Sequence, residues 1–209
     1  MRFGKLLAGS AVASALALSS GYAHANFIDG AATGLASPAA TINFTSPVLA
    51  IDTVVTNQFA GVTFGPSVFF NPQSGFGLTP NTVGNFSSGG AGPVNPVTLT
   101  FASGLSSVAF QFAADVTPYT FTALLNGHVV DSGTTTVGFG PPSLFYGFTG
   151  DDFNQIEITQ AGAGGGPFWL LADLELGSAV VTSVPEPGTL TLLGAGLLAF
   201  AFYARRRRV

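Results

Sequence analysis

The chain has 209 residues, with 10 Asp and Glu against 6 Lys and Arg and no cysteine. The bases stand only at the two ends, at Arg2, Lys5 and Arg205 to Arg208, while nine of the ten acids fall between residues 26 and 182. Disulfides are therefore excluded as a framework, Lys/Arg ion pairs are excluded inside that central stretch, and a nucleic-acid partner is excluded for want of cations to meet phosphate.

Arg2 and Lys5 precede an apolar run of small residues, Leu6 to Leu18, and Ala23-His24-Ala25 follows as an A-x-A cleavage site. This is the pattern of a secretory signal peptide over residues 1–25, with signal peptidase as a partner and Asn26 as the first residue of the exported chain.

Residues 26–182 are enough for one domain with a buried core. They hold 17 of the 20 phenylalanines, with Thr, Ser and Gly between them, and no helix-period segment of useful length. Aromatic and β-branched residues punctuated by Gly, Asn and Pro predict an all-β fold. Short strands are expected at Ile42 to Phe44 and Gly61 to Phe64, then an irregular section from Pro66 to Pro96. Val97, Leu99 and Phe101 alternate with threonines, and Val108, Phe110 and Phe112 alternate further on. The Gly104-containing stretch Ala102 to Ser107 between them is expected to be a hairpin loop. Tyr119 to Leu125 is a strand closed by Asn126-Gly127, which suits a type I′ turn because both positions need positive φ. His128 to Thr136 is the return strand. Phe145 to Phe148, a turn at Thr149 to Asp152, and Gln155 to Gln160 follow. Beyond the loop Ala161 to Pro167, the last strand, Phe168 to Leu176, is expected to put Phe168, Leu170, Ala172, Leu174 and Leu176 on one face. Trp169, Leu171, Asp173 and Glu175 would take the other. The predicted architecture is a two-sheet, jelly-roll-like β-sandwich, flanked by an N-terminal signal helix and a C-terminal transmembrane helix.

The final segment has three ordered parts. Val184-Pro185-Glu186-Pro187 is held extended and non-helical by its prolines. Thr189 to Ala204 carries no charge, and as a helix it would be about 24 Å long, close to the bilayer core once Gly188 and arginine stems are added. Arg205, Arg206, Arg207 and Arg208 then fix the end in the cytoplasm as a membrane stop. These residues resemble the PEP-CTERM sorting signal, here residues 183–209. The resemblance implies export in a Gram-negative bacterium and recognition by exosortase, a membrane protease-transpeptidase. It also implies anchoring by a single C-terminal helix before processing, and an association with exopolysaccharide and biofilm matrix. Gln58 to Phe64, Val97 to Phe101 and Trp169 to Leu176 are similar to the sandwich domains often placed ahead of this signal, themselves similar to carbohydrate-binding modules.

The chemistry inside the domain is sparse. His128, the only histidine of the domain, is expected to sit exposed at its hairpin rather than in a triad with Asp131. Asp151 and Asp152 are neighbours in a predicted turn. Asp173 and Glu175, two apart on a strand, would share a face, and like charges there are uncomfortable without a counter-ion. Hard oxygen ligands in an exported, base-free domain suit calcium, with Asp29, Asp151, Asp152, Asp173 and Glu175 as candidates. No other cofactor is implied. Trp169 and Tyr146 are candidates for a sugar-stacking platform. The reading is a non-enzymatic surface or matrix protein that binds extracellular polysaccharide. The alternatives are a secreted glycan-active enzyme on the same fold and a passive structural adhesin.

Overall fold

The computed structural model describes residues 26–73, 76–78, 81–90, 92–140, 143–161 and 167–179. The expected signal peptide, residues 1–25, and the sorting segment lie outside them. The strands are β1 Asn26–Ala31, β2 Ala40–Ile42, β3 Val54–Val55, β4 Val62–Gly65, β5 Val68–Phe70, β6 Val83–Gly84, β7 Val97–Ala114, β8 Thr117–Leu125, β9 His128–Val137, β10 Leu144–Gln160 and β11 Trp169–Leu176. Every pairing is antiparallel, and no helix occurs among the described residues. The all-β expectation holds. The division into two separate sheets does not: one ladder runs β3-β5-β6-β11-β7-β10-β8-β9, with β1 on β10, β2 on β11 and β4 on β7.

The continuity comes from β7 and β10, which run through both places where turns were expected. The strand β7 does not break at Ala102 to Ser107, and β10 does not break at Thr149 to Asp152. Instead the two irregular stretches face each other, with Thr149 opposite Ser107, Phe153 opposite Leu105, and register shifts on either side of Phe153. Gly, Ser and Asp serve bulges as readily as turns, and a bulge bends a strand without ending it.

The bend is a fold-back, as the register proves. Phe121 of β8 pairs with Ile158 of β10, which pairs with Val97 of β7. Yet the ring of Phe121 lies 5.3 Å from that of Phe112, fifteen residues further along β7. A straight strand would separate those positions by about 50 Å. The two halves of the long strands therefore face one another across the core. Phe110, Phe112, Tyr146 and Phe148 stand on one half, and Tyr119, Phe121 and Ile158 on the other.

Each bulge reverses which residues face inward. On β7 the core takes Val97, Leu99 and Phe101 before the bend and Val108, Phe110 and Phe112 after it. On β11 it takes Trp169 and Leu171, then Leu174 and Leu176. Leu170 and Ala172 instead join a second apolar cluster with Leu78 and Ala113 on the opposite face. The single face expected for Leu170 to Leu176 is corrected accordingly. Its phase breaks at Asp173, whose φ is 41°, within a register shift between Ala172 and Glu175.

The section expected to be irregular contains β5 and β6 and buries Val68, Asn71, Thr82, Val83 and Asn85. Asn85 ties it to β11 by donating to the Pro167 carbonyl at 3.1 Å and accepting the Trp169 N–H at 2.9 Å. The hairpin at Asn126-Gly127 is as expected, with φ of 52° and 82°. Asn154 on β10 steadies it, its Oδ1 accepting the Asn126 backbone N–H and its Nδ2 donating to Asn126 Oδ1, each at 3.0 Å.

Candidate functional site

The strand β11 gives the domain two different ends. Its C-terminal end leads towards the sorting segment and is fastened at the bend. Gly177 N–H donates to the Ser107 carbonyl at 2.8 Å, Ser106 N–H to Ser178 at 3.2 Å, and Ala179 bridges to Leu105. Its N-terminal end lies about 25 Å away, at roughly 3.3 Å per residue. There Asp115 and Phe168 are joined twice, by Asp115 N–H to the Phe168 carbonyl and by Phe168 N–H to Asp115 Oδ2, both at 2.9 Å.

That far end carries exposed apolar side chains. Val116 is 78 % exposed and Phe168 44 %. Phe86 packs on Phe168 at 4.7 Å, and Phe76 on Phe139 at 4.5 Å. Beside them a cleft of about 270 Å³ opens between the end of β7, the end of β9 and the start of β10. Phe112 and Val116 line it from β7 and the residue after-next, and Thr136 from β9. Gly138, Phe139 and Gly140 form its loop wall, and Ser143, Leu144 and Tyr146 complete it. Ser143 Oγ is committed to the Phe76 carbonyl at 2.6 Å, which steadies the loop that holds Phe76. A second cleft of about 340 Å³ lies along β2, with Phe44 and Phe59 in its lining.

Two tyrosines beneath this end are kept neutral. Burial pushes the Tyr119 phenol far above its usual range, and the charge of Asp115 adds to it. Burial likewise raises Tyr146, with Asp29 contributing. Both acids thus stand close to the cleft end, and neither has a basic neighbour, because residues 26–182 contain no Lys or Arg.

Tyr146 contributes to the cleft wall, but at 5 % exposed it belongs to the core, its ring stacked on Phe121 at 5.5 Å and 18°. Trp169 is not part of that wall. It is 1 % exposed and packs 5.4 Å from Phe112, so an open sugar platform built on these two rings is corrected. The cause is the phase of β11, which turns Trp169 inward. Phe139 and Val116 escaped sequence reading because neither belongs to an alternating run. The available signal was an aromatic bracketed by glycines, Gly138-Phe139-Gly140.

The acids considered for calcium are dispersed. Asp29 is exposed on β1 and Asp152 is exposed on β10, while the side chain of Asp151 is outside the described set. Asp173 lies within the register shift that Ala172 and Glu175 bound, so the two acids do not alternate regularly, and Glu175 accepts the Leu35 N–H at 2.5 Å. Among the described residues no three His, Cys, Asp or Glu side chains gather as a metal site would require. His128 is exposed at the start of β9, and Asp131 accepts the N–H of Ser132 at 2.7 Å. Ala23, Ala25, Val184 to Pro187 and Arg205 to Arg208 all lie outside the described residues. No helix among the described residues is long and apolar enough to cross a membrane, and the segment 189–204 is not among them.

A family model for the PEP-CTERM protein-sorting motif matches residues 183–208. The chain is thus a protein bearing a PEP-CTERM sorting domain, which implies export, recognition by exosortase and a membrane-anchored C-terminal tail. No curated protein and no solved structure matches the chain.

Proposed function

We propose that this chain is a surface or extracellular-matrix protein whose β domain binds exopolysaccharide without turning it over. Signal peptidase removes residues 1–25, and the tail holds the domain outside the cytoplasmic membrane until exosortase processes it. The domain then passes to the cell surface or beyond. The observation that carries this reading is the sorting motif, which begins four residues after Ala179, the last described residue of the domain. What survives processing is therefore the β domain alone. Its cleft lies at the end of the domain opposite Ala179, the last described residue before the motif.

Intact mass of the protein recovered from exosortase-positive cells tests the first half. A species lacking residues 1–25 and Arg205 to Arg208 is expected. Full retention of the four arginines would reduce the tail to a plain anchor. Pull-down with the host's own exopolysaccharide tests the second half, and hydrolysis of that polymer would replace binding by catalysis.

A further inference from the structure

We propose that the cleft beside Val116 receives a single uncharged sugar unit of a polysaccharide. This assignment rests on the polysaccharide reading above and gives it a site and a ligand class. Size is the first argument. About 270 Å³ falls just below the roughly 300–1,000 Å³ typical of drug-sized ligands, so the cleft admits one ring and not an extended chain. The walls are the second. The Phe139 ring is steadied by Phe76 at 4.5 Å, and Val116, two residues past the end of β7, is exposed. Phe139 and Val116 are the accessible apolar surfaces for the C–H face of a pyranose, and the exposed Thr136 supplies a hydroxyl in a lining that is on balance polar.

Charge decides the class of sugar. Asp115 adjoins Val116, and Asp29 is close enough to Tyr146 to raise its phenol. No Lys or Arg exists anywhere in the domain to hold a carboxylate, sulfate or phosphate. A uronate or phosphorylated unit would find no counter-charge and would meet the field of the nearby acids, while an uncharged unit would not.

The test uses the processed protein recovered from the cell surface, with a soluble neutral glucan, a neutral mannan and alginate as probes, all in chelator. A β-carbon at Gly140 meets nothing within 4 Å among the described residues, and Gly140 has no left-handed φ, so Gly140→Trp adds a bulky side chain to the cleft lining with no clash at its β-carbon. Gly92 stands in equally open space outside the cleft lining, and Gly92→Trp is the control. The expected result is binding to at least one neutral polymer, no binding to alginate, a loss of tenfold or more in Gly140→Trp, and no loss in Gly92→Trp. Equal binding by wild type and Gly140→Trp would overturn the cleft while leaving polysaccharide binding intact. Alginate bound as tightly as the neutral polymers would overturn the ligand class. Wild-type protein that bound none of the probes or the host's exopolysaccharide would remove both the site and the reading it rests on.

Discussion

The ring of Phe27 occupies the space where a β-carbon on Gly133 would stand, joining the first strand of the domain to the β8–β9 hairpin. The same ring lies 5.9 Å from Phe121 and 5.4 Å from Phe148. Phe27 is the second residue after the expected cleavage site, so the new end of the chain is part of the core. Phe27→Ala is expected to destabilise by about 2–3 kcal/mol, less than the 3–5 of a fully enclosed ring because Phe27 is only partly buried. Gly133→Val should cost a similar amount by displacing the ring. The pair together should cost less than the sum, since each change removes the same contact. Urea unfolding of the two single variants and the double variant measures this.

Gly34 and Glu175 give a second test. The Glu175 carboxylate fills the place of a β-carbon on Gly34 and accepts the Leu35 N–H. Gly34→Ala is therefore expected to push the carboxylate off its donor and cost about 1–3 kcal/mol. Glu175→Gln, which keeps an acceptor of the same shape, should cost less. A Gly34→Ala variant with unchanged urea midpoint would contradict the arrangement.

Alkaline stability follows from Tyr119. Its phenol is raised by burial and then by Asp115, so the folded state favours the neutral form more than the unfolded state does. That contribution is complete below the unfolded value of about 10 and is lost as pH rises above it. Unfolding should set in above about pH 10, with phenolate absorbance appearing together with loss of structure. Tyr119→Phe should move that onset upward. It forfeits only a long hydrogen bond, 3.4 Å, to the Phe168 carbonyl. An onset unchanged in Tyr119→Phe would place the alkaline weakness elsewhere, with Tyr146 the next group to test.

At the acid end, Asp52 behaves in the opposite sense. Hydrogen bonds from the hydroxyl and the N–H of Ser88 lower its carboxyl below the usual value. Its stabilisation is present above the unfolded pKa of about 3.9 and disappears as pH falls through the lower folded value. Asp52→Asn should flatten the acid limb of a plot of stability against pH, and a limb of unchanged slope would remove Asp52 from the account.

Salt should stabilise the domain. Nine acids face no Lys or Arg between residues 26 and 182, so monovalent salt screens repulsion and has no Lys/Arg pair to weaken. Melting temperature is expected to rise between low salt and about 0.15 M sodium chloride. A fall would show that specific attractive contacts of the carboxylates outweigh their mutual repulsion.

The sequence by itself determined the strands with unbroken alternation and the one turn whose chemistry is unambiguous. Tyr119 to Leu125, Asn126-Gly127 and the return strand from His128 are where local preference sufficed, because a type I′ turn needs two positive φ values and Asn-Gly supplies them. It also determined the sorting motif at the C-terminal end, since a proline-rich peptide, an uncharged run and a charge block act through composition and order, without a fold. Tertiary structure alone decided the rest. Whether Ala102 to Ser107 and Thr149 to Asp152 turn or bulge depends on their facing each other across two long strands, and no local pattern contains that pairing. A separate phase break at Asp173 in β11 splits its apolar residues between the main core, which takes Trp169, and a second cluster, which takes Leu170. The cleft is tertiary too: Val116, Thr136, Phe139 and Tyr146 are distant in sequence and meet only because β7, β9 and β10 end together.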